Sequence, residues 1–316
     1  MTKPLHLHED RLFPSDNATR DIARRLHREV AALPIVSPHG HTDPSWFATN
    51  APFANATELL LVPDHYVFRM LYSQGVPLDA LGIPPADGSA ANVDPREAWR
   101  VFARNFQLFR GTPSSMWLNH VFFEVFGLRE RLDETTADGY YDRITEALQT
   151  PQFTPRALFE RFNIEVIATT ESPLEALEHH QAILDSGWKG RVITAYRPDP
   201  VVDPEHEQFP SALLRLGEIT GENVHTWDGY LRAHRQRRDF FRRMGATSTD
   251  HGHPSAATAN LPPDEARKLF DVVVHGGATP AQAELFRAQM LTGMAAMSLD
   301  DGLVMQIHPG CFRNHN

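Results

Sequence analysis

Residues 34–43 read Pro34-Ile-Val-Ser-Pro-His-Gly-His-Thr-Asp43, and they decide the fold. The apolar run 34–38 is short. It follows a segment, 21–33, in which Ile22, Leu26, Val30 and Leu33 recur at helical spacing. A brief buried strand leading straight into His39-Gly40-His41 is how a parallel βα protein opens, provided later strands also end on polar residues. Four further strand-like runs do so, at 164–169, 191–196, 244–249 and 303–307. The last three lead into Arg197-Pro-Asp199, Asp250-His251-Gly252-His253 and His308. Helical stretches lie between them: one opened by Ser172-Pro-Leu-Glu175 and running to about 184, one at 226–243, and one opened by Thr279-Pro280. Strands alternating with helices predict an α/β protein with a parallel sheet. Polar residues at strand C-termini mark where a (β/α)8 barrel, or an open α/β sheet, keeps its active site.

The region 44–163 has no clear strand and reads as a helical insertion after the first strand. This divides the chain into 1–43, the insertion 44–163, and βα units over 164–316. Asp94-Pro95-Arg-Glu97 is a helix start: Asp94 caps, Pro95 fits the first turn and Glu97 completes a capping box. Trp99, Phe102, Phe106 and Phe109 then form an aromatic stripe, and 114–128 continues in the same style. These aromatics read as core between helices. Arg235-Gln-Arg-Arg238 with Arg242-Arg243 reads as a solvated helix face.

Of the 316 residues, 30 are Lys or Arg and 40 are Asp or Glu, a formal charge of −10, which argues against a nucleic-acid partner. A small anion held by one or two arginines is still allowed. No stretch approaches the roughly 20 apolar residues of a membrane span, and no signal peptide is visible. The expected compartment is the cytoplasm. The single cysteine, Cys311, rules out an internal disulfide and a cysteine zinc site. No base is evident beside it, which speaks against a nucleophilic role. Any transition-metal site must therefore use His, Asp or Glu, and the chain has 17 histidines. No glycine-rich phosphate loop follows any strand.

Three His-x-His pairs occur: His6/His8, His39/His41 and His251/His253. Alternate residues of an extended chain share a side, so two such imidazoles can grip one cation. Only His39/His41 directly follows the apolar run. His6/His8 reads as surface, and His253, ahead of Pro254, as loop. Asp250 and His308 stand at later strand ends, where His and carboxylate suit a divalent cation. Arg197 suits a carboxylate, with a salt bridge to Asp199 or Asp203 as the plainer alternative. For His308 the plainer alternative is a satisfied core histidine. His65 and Tyr66, in Pro63-Asp-His-Tyr-Val-Phe-Arg69, read as helix surface or as a proton shuttle to a substrate oxygen.

Together these segments resemble uronate isomerase (glucuronate isomerase), an atypical family of the amidohydrolase superfamily. The resemblance rests on Leu12-Phe-Pro14, 35–41, Asp64-His-Tyr66, Thr194-Ala-Tyr-Arg-Pro-Asp199, Thr249-Asp-His-Gly252 and Met305-Gln-Ile-His-Pro-Gly-Cys-Phe-Arg-Asn-His-Asn316. It implies a TIM-barrel-like metal-dependent hydrolase fold, (β/α)8, with a helical insertion after the first strand. It implies interconversion of D-glucuronate with D-fructuronate and of D-galacturonate with D-tagaturonate. His39 and His41 match metal ligands, the expected ion being zinc. Tyr66, with His65, matches a proton carrier between the sugar's C1 and C2 oxygens. Arg197 and His308 are expected at the substrate, and Asp250 as a catalytic carboxylate at the edge of the metal site. The resemblance also implies three more strands, the last carrying an aspartate that binds the metal and acts as base and a nearby arginine for the substrate hydroxyls. The chain is therefore expected to be a truncated form holding the first five, and activity of these 316 residues alone does not follow. A metal-dependent hydrolase of the same superfamily and an inactive remnant are the competing readings. The expected partner is a small hexuronate; a homo-oligomer is left open.

Overall fold

The computed structural model describes residues 2–85, 89 and 91–310; Cys311 and the rest of 311–316 lie outside them. The chain forms two compact units, Met1–Leu33 with Asn50–Phe162, and Pro34–Thr49 with Asn163–Asn316.

The first unit is helical. Its helices include Asn17–Val30, His65–Ser73, Pro95–Arg104, Pro113–His120 and Ala137–Leu148. Trp99, Phe102, Phe106, Phe109 and Phe122 are buried together in its core, as the aromatic stripe predicts, and the Trp99 indole N–H donates to the Ala137 carbonyl at 3.0 Å. Asp94 caps its helix by accepting from the Arg96 N–H at 2.7 Å. Glu97 does not complete a capping box; its carboxylate is taken by Arg100 one turn on.

The second unit carries a five-stranded, all-parallel sheet: β1 (Ile35–Ser37), β2 (Ile164–Glu171), β3 (Arg191–Tyr196), β4 (Ser248–His251) and β5 (Val304–Ile307). The strands lie in the order β1-β2-β3-β4-β5. Each new strand is added on the same side of the last, which is the winding of a barrel; a doubly wound sheet reverses direction. Helices Phe209–Thr220, Trp227–Arg243, Pro263–Val274 and Pro280–Asp301 contribute Leu216, Tyr230, Phe241, Phe270, Phe286 and Met290 to one buried cluster with Tyr196 of β3. Among the described residues no helix is long and apolar enough to cross a membrane.

Three expectations need correction. The strand expected at 244–249 begins only at Ser248, because Met244 and Gly245 finish the preceding helix: the Ala246 N–H donates to the Phe241 carbonyl, and Gly245 has φ +98°. The helix expected from Ser172 starts at Glu178; Leu177, buried at φ +57°, cannot lie within a right-handed helix. The basic run is not wholly a solvated face. Arg238 is buried and holds Asp301 through Nε and Nη2 at 2.5 and 2.9 Å, while Arg237 donates to the carbonyls of Pro173 and Glu175.

Candidate metal centre at the strand ends

The register of β4 against β5 sets the site. Asp250 lies opposite Gln306, and Ser248 opposite Val304. Alternation puts Ser248 and Asp250 on one face of the sheet and continues that face from Gln306 to His308. Asp250 and His308 consequently meet: His308 Nε2 is 2.6 Å from Asp250 Oδ1. His39, two residues beyond β1, brings Nδ1 to 3.5 Å from the same oxygen. Its loop is fastened to β2 by the Thr170 hydroxyl, which donates to the Gly40 carbonyl at 2.9 Å.

His39, Asp250 and His308 each offer a ligand atom, all within 4.8 Å of one another. They form a candidate metal site from three different strand ends. Asp250 is fully buried, and its Oδ2 makes no hydrogen bond. Arg197 Nη1 stands 3.3 Å from that oxygen, in ion-pair range but out of hydrogen-bond alignment. A buried carboxylate oxygen with spare acceptor capacity, flanked by two imidazoles, fits a divalent cation of the Zn²⁺ or Mn²⁺ kind.

Around this cluster lies a second set of contacts. Arg197 Nε donates to Asp199 Oδ2 at 2.9 Å, so the salt bridge foreseen as the plainer alternative does form, alongside the approach to Asp250. Asp199 is held in turn by the Gly252 N–H at 3.1 Å. At Gly252 a Cβ would stand 2.6 Å from Arg197 Nη2, 2.7 Å from Asp199 Oδ2 and 3.1 Å from His308 Cε1. A side chain there would have to push the ends of Arg197 and Asp199 aside. The φ of Gly252 is ordinary.

The other expected residues fall in different places. The His41 ring is 5.1 Å, centroid to centroid, from His39, but His41 is exposed and outside the three-residue cluster. His65 and Tyr66 begin a helix of the first unit, where Asp64 caps them and Tyr66 is exposed. His251 faces the other side of β4 from Asp250; its Nε2 is 2.8 Å from the Thr249 hydroxyl, and burial pushes its imidazole down to about 3. His253 follows β4 as loop yet is buried, and burial also lowers its pKa. Gln306 and Gly252 are the residues whose place in the site went unrecognised, and Asp199 was foreseen only as a partner for Arg197. The signal for Gln306 was the alternation Met305-Gln306-Ile307-His308, which puts the amide on the face of His308.

Fold and site define the class: a parallel α/β protein, wound as a barrel, with a candidate His–Asp–His cation site and an arginine at its strand C-termini. Residues 11–316 match the glucuronate isomerase family, and the chain belongs to that family. It is 77% identical to a uronate isomerase of Xanthomonas axonopodis pv. citri over 99% of this chain and 66% of that sequence. A uronate isomerase of Phenylobacterium zucineum is 67% identical over 100% of this chain and 66% of its own length. Among solved structures, glucuronate isomerase from Caulobacter crescentus superposes with a TM-score of 0.96 at 65% identity, covering 99% of this chain and 65% of that one. Uronate isomerase from Thermotoga maritima gives 0.86 at 26% identity, covering 96% and 64%. The chain thus spans slightly less than two-thirds of the length of these relatives.

Proposed function

We propose that the chain acts in a uronate isomerase, interconverting D-glucuronate with D-fructuronate and D-galacturonate with D-tagaturonate, with a zinc ion bound by His39 and its neighbours. The observation that carries this reading is Asp250, a fully buried carboxylate held at 2.6 Å by His308 and at 3.3 Å by Arg197.

Aldose–ketose isomerisation takes a proton from C2 and returns it to C1, while a hydroxyl proton passes from O2 to O1; the path runs through an enediol. It needs a base, a donor at the two oxygens and a counter-charge for the anionic form. In this reading Asp250 is a catalytic carboxylate at the edge of the metal site, and the C2 proton goes to the base that the resemblance places on the family's last strand. His308, whose Nε2 hydrogen-bonds to Asp250, orients that carboxylate. Arg197 takes the substrate carboxylate through its planar fork of donors, and Asp199 keeps the guanidinium in place. His39, Asp250 and His308 are the groups that would hold the ion, with His41 beside them. The ion, when bound, would supply a Lewis acid and an orienting charge for the uronate's oxygens. The reading assigns proton movement between O1 and O2 to His65 and Tyr66.

The test is an NMR assay of D-glucuronate with the zinc-loaded chain extended to the length of its relatives. The expected result is a ketose, lost in Asp250→Asn. Turnover of lactones or esters without ketose formation would instead favour a hydrolase, and no turnover with metal bound would refute the proposal.

A further inference from the structure

Gln306 is used by nothing described so far, yet both ends of its amide are engaged at the site. Its Nε2 donates to the Pro38 carbonyl at 2.8 Å and to the Ser248 hydroxyl at 3.1 Å. The Pro38 carbonyl can only accept. Turning the amide over would bring two carbonyl oxygens together, so the orientation of the amide is fixed by its neighbours. Its Oε1 is left facing His39 Nδ1 at 2.9 Å. An amide oxygen only accepts, so Nδ1 must carry the proton. The Asp250 carboxylate, with Oδ1 at 3.5 Å from Nδ1, is also an acceptor. Both neighbours select the same tautomer.

We infer that Gln306 is a positioning residue: it fixes His39 as its Nδ1–H tautomer and holds the ring so that Nε2 offers the lone pair to a cation. The inference rests on the metal reading above and sharpens it, since it says which nitrogen of His39 is the ligand. A histidine bound through one nitrogen needs its other N–H held by an acceptor, which sets ring orientation and basicity. Backbone carbonyls and carboxylates commonly do this. Here a side-chain amide does it, and that amide is anchored to the carbonyl just before His39 itself. The same contact ties the end of β1 to β4 and β5 without a backbone ladder between them. Gln306 touches neither reacting atoms nor, on this reading, the ion.

The test uses ¹⁵N-histidine-labelled full chain, with His39→Gln to assign the His39 signal. In the metal-free protein the two-bond ¹⁵N–¹H spectrum should show a pyrrole-type Nδ1 and a pyridine-type Nε2 for His39. Zinc should then shift Nε2. By competition with a chromogenic chelator, Gln306→Leu should bind zinc on the order of 10–100-fold more weakly. An Nε2–H tautomer in the wild type, or a zinc-induced shift at Nδ1, overturns the inference, and so does a Gln306→Leu chain that binds zinc like the wild type. If Gln306→Leu does not fold, the wild-type tautomer alone decides. A wild-type chain that binds no zinc at all refutes the metal reading instead, and the tautomer is still read in its absence.

Discussion

Gly252→Ala probes the support behind Arg197 with the addition of one methyl group. The backbone there has no left-handed requirement, so the substitution acts through space alone. The added carbon would meet Arg197 Nη2 at 2.6 Å and Asp199 Oδ2 at 2.7 Å, whereas ordinary contact begins at 3.4 Å. Both partners of the 2.9 Å Arg197–Asp199 pair must retreat, by roughly 0.8 Å, close to the displacement of about 1 Å that can cost a site about 10²-fold. A charge-assisted hydrogen bond is worth about 1.5–3 kcal/mol, so uronate binding should weaken about 10- to 100-fold. The assay is titration calorimetry of the zinc-loaded chain with D-glucuronate and, as a control lacking the carboxylate, D-glucose. The uronate should lose affinity and the difference between the two sugars should shrink. Arg197→Lys, which keeps the charge but not the planar fork, should act in the same direction. A Gly252→Ala chain that melts like the wild type and binds D-glucuronate within twofold of it would refute the reasoning.

Two further outcomes follow from buried groups. Burial pushes His180 down to about 4 and His234 to about 3, from the ordinary 6.5; both stay neutral when folded and gain protons near 6.5 when unfolded. Their stability contribution is complete above pH 6.5 and is lost as pH falls toward 4, by on the order of 1 kcal/mol per pH unit for each. Urea midpoints at pH 7.5, 6 and 5 should fall in that order, less steeply in His234→Gln, and a flat profile would contradict this. Asp301→Ala strands the Arg238 guanidinium, whose side chain is 1% exposed, and should cost roughly 3–5 kcal/mol. Asp300→Ala breaks only an exposed pair with Arg235 and should cost less than about 1 kcal/mol; equal losses by urea unfolding would show that burial does not govern these pairs.

What the sequence disclosed, it disclosed through periodicity. Five apolar runs with polar residues beyond them gave the parallel sheet, and the four at 34–38, 164–169, 191–196 and 303–307 are close to the strands observed. The fifth was displaced because Met244-Gly245-Ala246 is apolar enough to read as strand, while the glycine's left-handed backbone ends a helix there. Asp250 therefore lies inside β4 and is buried, where the sequence placed it just beyond the strand. His-x-His was legible as a pattern, yet spacing could not say that His39 would turn toward Asp250 and Gln306 while His41 stayed exposed. Contacts such as Gln306 with Pro38 span 268 positions, and no local pattern announces them. Arg237 and Arg238 show the reverse failure. A basic run looks solvated until the carbonyls and the carboxylate that bury it are supplied by distant segments.

The most direct test of the central claim is zinc binding by the purified full chain, followed by calorimetry and by anomalous scattering at the zinc edge. One ion per chain against His39, with binding abolished in His39→Ala and severely weakened in Asp250→Ala, is the result predicted. A chain that takes up no zinc, or whose ion sits away from His39 and survives its removal, would contradict it.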